Sequence, residues 1–423
     1  MPARYWRPRW PAALLLQLLL AVTLCLPGRP AAAVTPVTPP DTAADTPAAP
    51  GAAPRIGVLT MQPGEVFFER FGHDAIVVVD ADSGQATSYN FGYFDPSEPD
   101  FLARFVRGEM LYHLVALPAN QDLAQYRDAG RGVDVQWLDL APEQARALAA
   151  ALAERARPEN SRYRYDYFTA NCATMVRDSL DQAMGGALQS QLAGRSRGNS
   201  YRSESVRLAS PSPWMWLGFD LGLGPNADQP LSRWQEAFVP MRLADSLREV
   251  RNSEGRPLVQ AEQELLPQRL PPEPKEKQRS WLPWLLIGLA VAAALYAARR
   301  KPRLIGGFAL PFWLLCGVAG GLLTFLWGFS EHQAAWANRN LLLLSPLALL
   351  LLPGAWSLLR GRQPRAWFRV VLWLMTGIAL LALPLHWLSL QAQFNMQWIV
   401  LLLPIHITLG LILGRRSLAL PAS

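Results

Sequence analysis

Arg70-Phe-Gly-His-Asp-Ala-Ile-Val-Val-Val-Asp80 sets one histidine at the head of an unbroken apolar, β-branched run. Such a run suggests a buried central strand whose first residue, His73, emerges at the sheet's edge, a usual place for a site. Gly72 beside it permits close backbone approach. Outward from this strand, Arg55 to Met61 reads as a second strand, and Ala81-Asp-Ser-Gly-Gln85 as a hairpin turn into a third, Ala86 to Phe91. Leu111 to Leu117 and Val133 to Leu140 read as further strands. Asp100 to Arg107, Gln121 to Ala129 and Pro142 to Arg157 read as helices, the last with Pro in its first turn. The pattern predicts an α+β fold, several antiparallel strands with helices to one side.

A further helix is predicted from Cys172 to Met184, stopped by Gly185-Gly186. It would put the Cys172 thiol at the positive end of a helix dipole, where free backbone amides favour a thiolate. An isolated thiol is also a common buried packing residue. The chain has three cysteines; Cys25 and Cys316 lie in apolar stretches, so neither is placed to bridge Cys172. A nucleophile needs a base, and between residues 55 and 266 the histidines are His73 and His113. His113, inside Leu111-Tyr-His-Leu-Val115, reads as a half-buried strand residue. His73 is the candidate base. Histidines and cysteines are too few and scattered for a metal site, and no cofactor motif is present.

At the N-terminus, Arg4, Arg7 and Arg9 precede an uncharged run from Ala12 to Leu26 and then Ala31-Ala32-Ala33, the order of a signal peptide or N-terminal anchor over residues 1–33. Leu24 before Cys25 argues against a lipid-anchored cysteine. Residues 34–54 are Ala, Pro and Thr with little else, a linker. Residues 55–266 form the predicted extracytoplasmic domain. Within it Gly194 to Ser205 reads as a mobile polar loop, and Pro211 to Val250 as a helical, Trp-rich appendage. Residues 267–280 are a charged, Pro-rich connector, and residues 281–423 hold five apolar stretches: Trp281 to Ala298, Ile305 to Phe329, Leu341 to Leu359, Trp367 to Leu388 and Trp398 to Leu413. Arg299, Arg300, Lys301 and Arg303 follow the first, Arg360, Arg362 and Arg365 the third, Arg415 and Arg416 the fifth. The positive-inside rule makes these loops and the C-terminus cytoplasmic and turns residues 34–280 outward. The net charge of +7 is a topology signal, since residues 34–280 carry 25 Lys and Arg against 32 Asp and Glu. That acidic balance excludes nucleic acid as a partner. The outward loops carry His332, Asn338, Asn340, Gln391 and Asn395, candidate contacts for a lipid head group or, more plainly, solvated loop residues.

Phe71-Gly-His-Asp-Ala-Ile76, Tyr89-Asn-Phe-Gly-Tyr-Phe-Asp95 and Tyr165-Asp-Tyr-Phe-Thr-Ala-Asn-Cys-Ala-Thr174, in that order, resemble the extracytoplasmic domain of the Lnb-type lipoprotein N-acyltransferases. That family is related to the permuted NlpC-like papain superfamily, which includes lecithin:retinol-type acyltransferases. The resemblance covers roughly residues 55 to 270 and implies a permuted papain-like fold ahead of an all-α bundle of five transmembrane helices, in the bacterial inner membrane. It implies that His73 deprotonates Cys172, that the thiolate takes an acyl chain from a membrane lipid or diacylglyceryl lipoprotein, and that the thioester passes to an amine, leaving a lyso-form lipoprotein. Asn90, on the strand paired with that of His73, is the expected third group, with Asp74 and Asp166 behind it. Asn171 is expected either to stabilise an oxyanion or to cap the Cys172 helix. A cysteine peptidase, a lipid-ester hydrolase and a non-catalytic envelope sensor are the alternatives.

Overall fold

A computed structural model describes residues 52–276, 280–388 and 392–414. The signal or anchor segment, most of the first linker, Gln391, Arg415 and Arg416 lie outside these residues.

Seven antiparallel strands form one sheet: β1 (Arg55–Met61), β2 (His73–Val79), β3 (Ala86–Tyr93), β4 (Leu111–Pro118), β5 (Val133–Leu138), β6 (Arg162–Arg164) and β7 (Val259–Leu266), in the order β6-β4-β3-β2-β1-β5-β7. The unbroken apolar run does occupy the centre, as β2. Its side chains alternate between two cores. Ile76 and Val78 join Ile56, Val58, Tyr89 and Phe91 under the helices α3 (Pro142–Arg155), α4 (Cys172–Ala183) and α5 (Ala187–Leu192). Ala75 and Val77 join Leu59, Met61, Val133 and Val135 under α2 (Ala119–Asp128), where Leu123 and Tyr126 pack. Helices therefore cover both faces rather than one, which is why β2 carries no polar alternation.

Two strands escaped sequence reading. β6 has three residues, and β7 (Val-Gln-Ala-Glu-Gln-Glu-Leu-Leu) is an edge strand exposed along most of its length, paired only with β5. The polar stretch expected as a mobile loop is a second correction. Ser200 caps a helix α6 (Tyr201–Ala209), whose charges are buried in pairs: Arg202 with Asp228 at 2.7 Å, and Glu204 with Arg207 at 2.6 Å and Arg242 at 3.0 Å. Polarity here marks an internal ion-pair network. The appendage is helical, with α7 (Pro213–Gly222) and α8 (Pro240–Leu247), and α8 packs against β1 and α4. α1 (Phe101–Arg107) completes the set.

Five segments are long and apolar enough to cross a membrane: Leu282–Arg300, Pro302–Gly328, Arg339–Leu359, Ala366–Trp387 and Met396–Leu413. Small residues let these helices approach closely. A Cβ on Gly306 would strike the backbone of Leu359, and one on Gly320 that of Leu344. The third span is not continuous helix. It begins as 3-10 turns at Arg339–Leu342 and Pro346–Leu351 and becomes α-helical at Leu352–Leu359, the break falling just before Pro346.

Candidate active site

Cys172 is the first residue of α4. Asn171 precedes it in extended conformation and accepts from the Thr174 amide at 2.9 Å, while Thr174 Oγ1 accepts from the Asn171 amide at 2.8 Å. This reciprocal cap fixes the start of the helix, and so the thiol. The Asn171 side-chain amide donates to the carbonyls of Tyr167 at 3.0 Å and Phe238 at 2.8 Å. With all its groups engaged, Asn171 is a cap and not an oxyanion donor. Asp166 is also spent locally: its Oδ1 accepts from the amides of Phe168 and Thr169 and from Thr169 Oγ1, closing the turn before Cys172. It does not reach His73.

His73 heads β2, and its Nε2 lies 3.0 Å from Asn90 Oδ1 on neighbouring β3. The Asn90 orientation is set from behind: its Nδ2 donates to Asp122 Oδ2 at 2.9 Å and to Ser88 Oγ at 3.0 Å, and Ser88 Oγ donates to the same Asp122 oxygen at 2.6 Å. With Nδ2 committed to the carboxylate, Oδ1 faces the imidazole. His73 Nε2 then carries the proton and Nδ1 is the basic nitrogen. The ring also stacks on Tyr126 of α2, centroids 6.5 Å apart. Gly72, with φ +78, turns the chain into β2 where a Cβ would lie 2.9 Å from the Met61 carbonyl. Gly92, with φ +96 at a bulge in β3, leaves the space beside Cys172 open; a Cβ there would sit 3.8 Å from Cys172 Cβ.

His73 and Cys172 line one cavity of about 540 Å³. Its wall is mostly aromatic, including Phe71, Phe91, Phe94, Phe105, Tyr165 and Phe219. Burial pushes the thiol up to about 12; the neighbouring Asp74 charge adds to this, and the N–H groups of Asp74, Ala173 and Cys172 oppose it by donating toward the sulfur. Burial likewise pushes His73 down to about 4, against the Asn90 hydrogen bond. Asp74 points to the opposite face of β2 from His73. Burial pushes its carboxyl up to about 8, and Thr60 Oγ1 donates to it at 2.9 Å. Thus Asp74 sits behind the thiol and does not orient the histidine. His113 is structural, its ring between Ser161 Oγ at 3.1 Å and Glu98 Oε1 at 3.4 Å.

Two residues at the site went unread in the sequence. Asp122, behind Asn90, is a buried carboxylate on the α2 face that carries buried Ala119 and half-buried Tyr126, and an acid at that spacing was the available signal. Arg131 is a buried guanidinium whose Nε donates to the Gln62 carbonyl at 2.9 Å and whose Nη2 has no partner. Among the described residues no group of three or more His, Cys, Asp and Glu is placed to hold a metal ion.

The described outward-loop residues are engaged within the protein, with His332 half-buried. Asn338, Asn340 and Asn395 are buried. Asn338 Nδ2 donates to the carbonyls of Leu221, Gly222 and Leu223, and Asn340 Nδ2 to that of Leu221, satisfying the C-terminal end of α7. Asn395 Nδ2 donates to Asn340 Oδ1 at 2.9 Å. His332 pairs through Nε2 with the Phe105 carbonyl of α1 at 3.1 Å and stacks on Tyr167. These polar groups lock the bundle to the sheet-bearing half. His406, inside the fifth span, is a packing residue bonded to the Leu343 carbonyl at 2.9 Å.

Neither a curated protein nor a solved structure matches the chain significantly. Two family models do match: the Lnb N-terminal periplasmic domain over residues 49–208 and the Lnb transmembrane domain over residues 280–416. The periplasmic match contains His73, Asn90, Asp122 and Cys172, and the membrane match contains all five candidate spans. The chain therefore belongs to the Lnb family, as a multi-pass inner-membrane protein with a periplasmic domain and the character of a lipoprotein-modifying membrane enzyme.

Proposed function

We propose that the protein is a cysteine acyltransferase that moves an acyl chain from a lipid ester, through a thioester on Cys172, to the amine of a lipoprotein. The observation that carries this reading is that a helix-capped thiol and His73, the latter backed by Asn90 and Asp122, line one aromatic-walled cavity. A papain-like nucleophile and base need that geometry, and the apolar wall suits a fatty chain better than a peptide.

In the first half-reaction His73 Nδ1 takes the Cys172 proton as sulfur attacks the ester carbonyl. The ester C–O bond then breaks, and the leaving alcohol oxygen takes the proton back from His73. In the second half the acceptor amine attacks the thioester, gives its proton to His73, and the thiolate leaves and is reprotonated. Burial makes the separate ions unfavourable at rest, so proton transfer is coupled to attack. The amides at the start of α4 and the Arg131 guanidinium supply positive potential for the tetrahedral oxyanion. The basic loops support a cytoplasmic C-terminus.

The test is mass spectrometry of the purified protein mixed with a diacylglyceryl lipopeptide. Wild type is expected to accumulate an acyl thioester on Cys172 and to yield N-acylated, lyso-form product. Cys172→Ala and His73→Ala should be inactive, and Asn90→Ala should lower the acylation rate by roughly 10²-fold, within the range for general-base catalysis. Product formation by Cys172→Ala would overturn the proposal. A thioester that only water resolves would make the enzyme a hydrolase.

A further inference from the structure

The cavity mouth has two unlike sides. Phe67, Phe68 and Leu102 line the cavity and are also exposed, so the cavity opens beside them. Around them Val66, Val106, Trp214 and Leu217 are exposed as well, Trp214 at 65% and Phe68 at 64%. Phe67 stacks on Trp214 at 5.8 Å, Phe68 meets Phe94 edge-on at 5.8 Å, and Phe94 stacks on Phe101 at 5.6 Å. Single exposed apolar residues are ordinary; a joined aromatic lip, here flanked by exposed Glu65 and Arg107, is not. The other side of the mouth, at the end of α2, exposes Gln125, Arg127 and Asp128.

Two of the three segments that build the lip are fastened to the outer ends of the spans. The second span ends at Gly328, and the Glu331 amide just beyond donates to the Arg107 carbonyl at the end of α1 at 2.7 Å. On α7, Asp220 accepts from Trp398 Nε1 at 2.9 Å, and Trp216 packs on Trp284 and Trp398, at the outer ends of the first and fifth spans. Tryptophans at span ends sit at head-group depth. The lip is thereby held at the membrane surface.

Resting on the reading of the site as one for lipid esters, we propose that the lip formed by Val66–Phe68, Leu102, Val106, Trp214 and Leu217 is immersed in the outer leaflet. The acyl chain of the donor then slides from the bilayer into the cavity between the Phe67–Glu69 turn and α1, without crossing water. The polar side at α2 stays in water.

The experiment uses full-length protein in phosphatidylethanolamine/phosphatidylglycerol nanodiscs. The photocrosslinker p-benzoylphenylalanine in place of Val106 or Trp214 is expected to capture lipid, and in place of Asp128 not to. Val66→Asp, Val106→Asp and Leu217→Asp lie outside the cavity. Combined, they should slow acylation of Cys172 by a bilayer-embedded diacylglyceryl lipopeptide about tenfold or more, as lost interfacial burial implies. Acylation by soluble p-nitrophenyl butyrate should be unchanged. Absence of lipid crosslinks at both positions, or equal slowing with both esters, overturns the lip. If wild-type Cys172 is acylated by neither ester, the acyl-transfer reading falls instead, and the crosslinks alone decide the lip.

Discussion

Asp74 and His73 are neighbours on β2 with opposite fates, because consecutive strand residues face opposite ways. His73 meets the cavity, where burial keeps it neutral down to about 4. Acid should therefore abolish acylation as pH falls through that value and the base is lost. Asp74 faces the α4 side, and its folded value of about 8 lies above the ordinary 3.8. Its contribution to stability is complete below about pH 4 and is lost as pH rises toward 8, since the unfolded carboxyl ionises first. Asp74→Asn should flatten that decline: between pH 5 and pH 9 its melting temperature in detergent should fall less than that of wild type. Parallel declines would show that Asp74 does not titrate this way. Both catalytic candidates were legible because each is announced by its own local pattern, histidine at a strand head and cysteine at a helix start. Asp122 and Arg131 were not, because their meaning arises only when β3 and α2, 32 residues apart at Asn90 and Asp122, come together.

Element by element, the sequence is most readable where local chemistry decides. β1 and β2 begin where expected, and α4 runs from Cys172 to Ala183, just short of Gly185-Gly186, under its Asn-x-x-Thr cap. It is least readable where tertiary pairing decides. β7 carries Gln260, Glu262, Gln263 and Glu264 in its exposed middle, and only its partner β5 makes it a strand. α6 looked like loop because its charges find partners only in distant segments. The cap itself gives a prediction at this scale. Asn171→Ala removes a cap worth about 1 kcal/mol and strips two carbonyls of their donor, each costing about 1 kcal/mol or more if buried. Differential scanning fluorimetry should show a lower melting temperature, and iodoacetamide should alkylate Cys172 at an altered rate. Asn171→Ser, which keeps the cap, should recover part of both. A variant that melts like wild type would remove the cap from this role.

Across the whole molecule, neutral amides join the two halves alongside the tryptophan cluster of Trp216, Trp284 and Trp398. The loop after the second span and the loop after the fourth both contribute, through Asn338, Asn340, Gln393 and Asn395. Asn338→Leu would leave three α7 carbonyls without that donor, at about 1–3 kcal/mol for each that stays buried and unmet. Limited proteolysis should then cut near α7 faster than in wild type, with the spans still inserted; an unchanged digest would show that the joint is held elsewhere. Such a joint was invisible in the sequence, where asparagines in a short outward loop read as solvated.

That joint also dictates a timetable. The strands that carry His73 and Asn90 are synthesised first, yet α7, which brings Phe219 to the cavity wall, is held by side chains from the loops before the third and fifth spans. During synthesis the thiol and its base emerge long before those loops do. The loop that holds α7 through Gln393 is among the last parts of the chain made, so the wall that Phe219 gives the cavity gains this support only after four of the five spans have been synthesised.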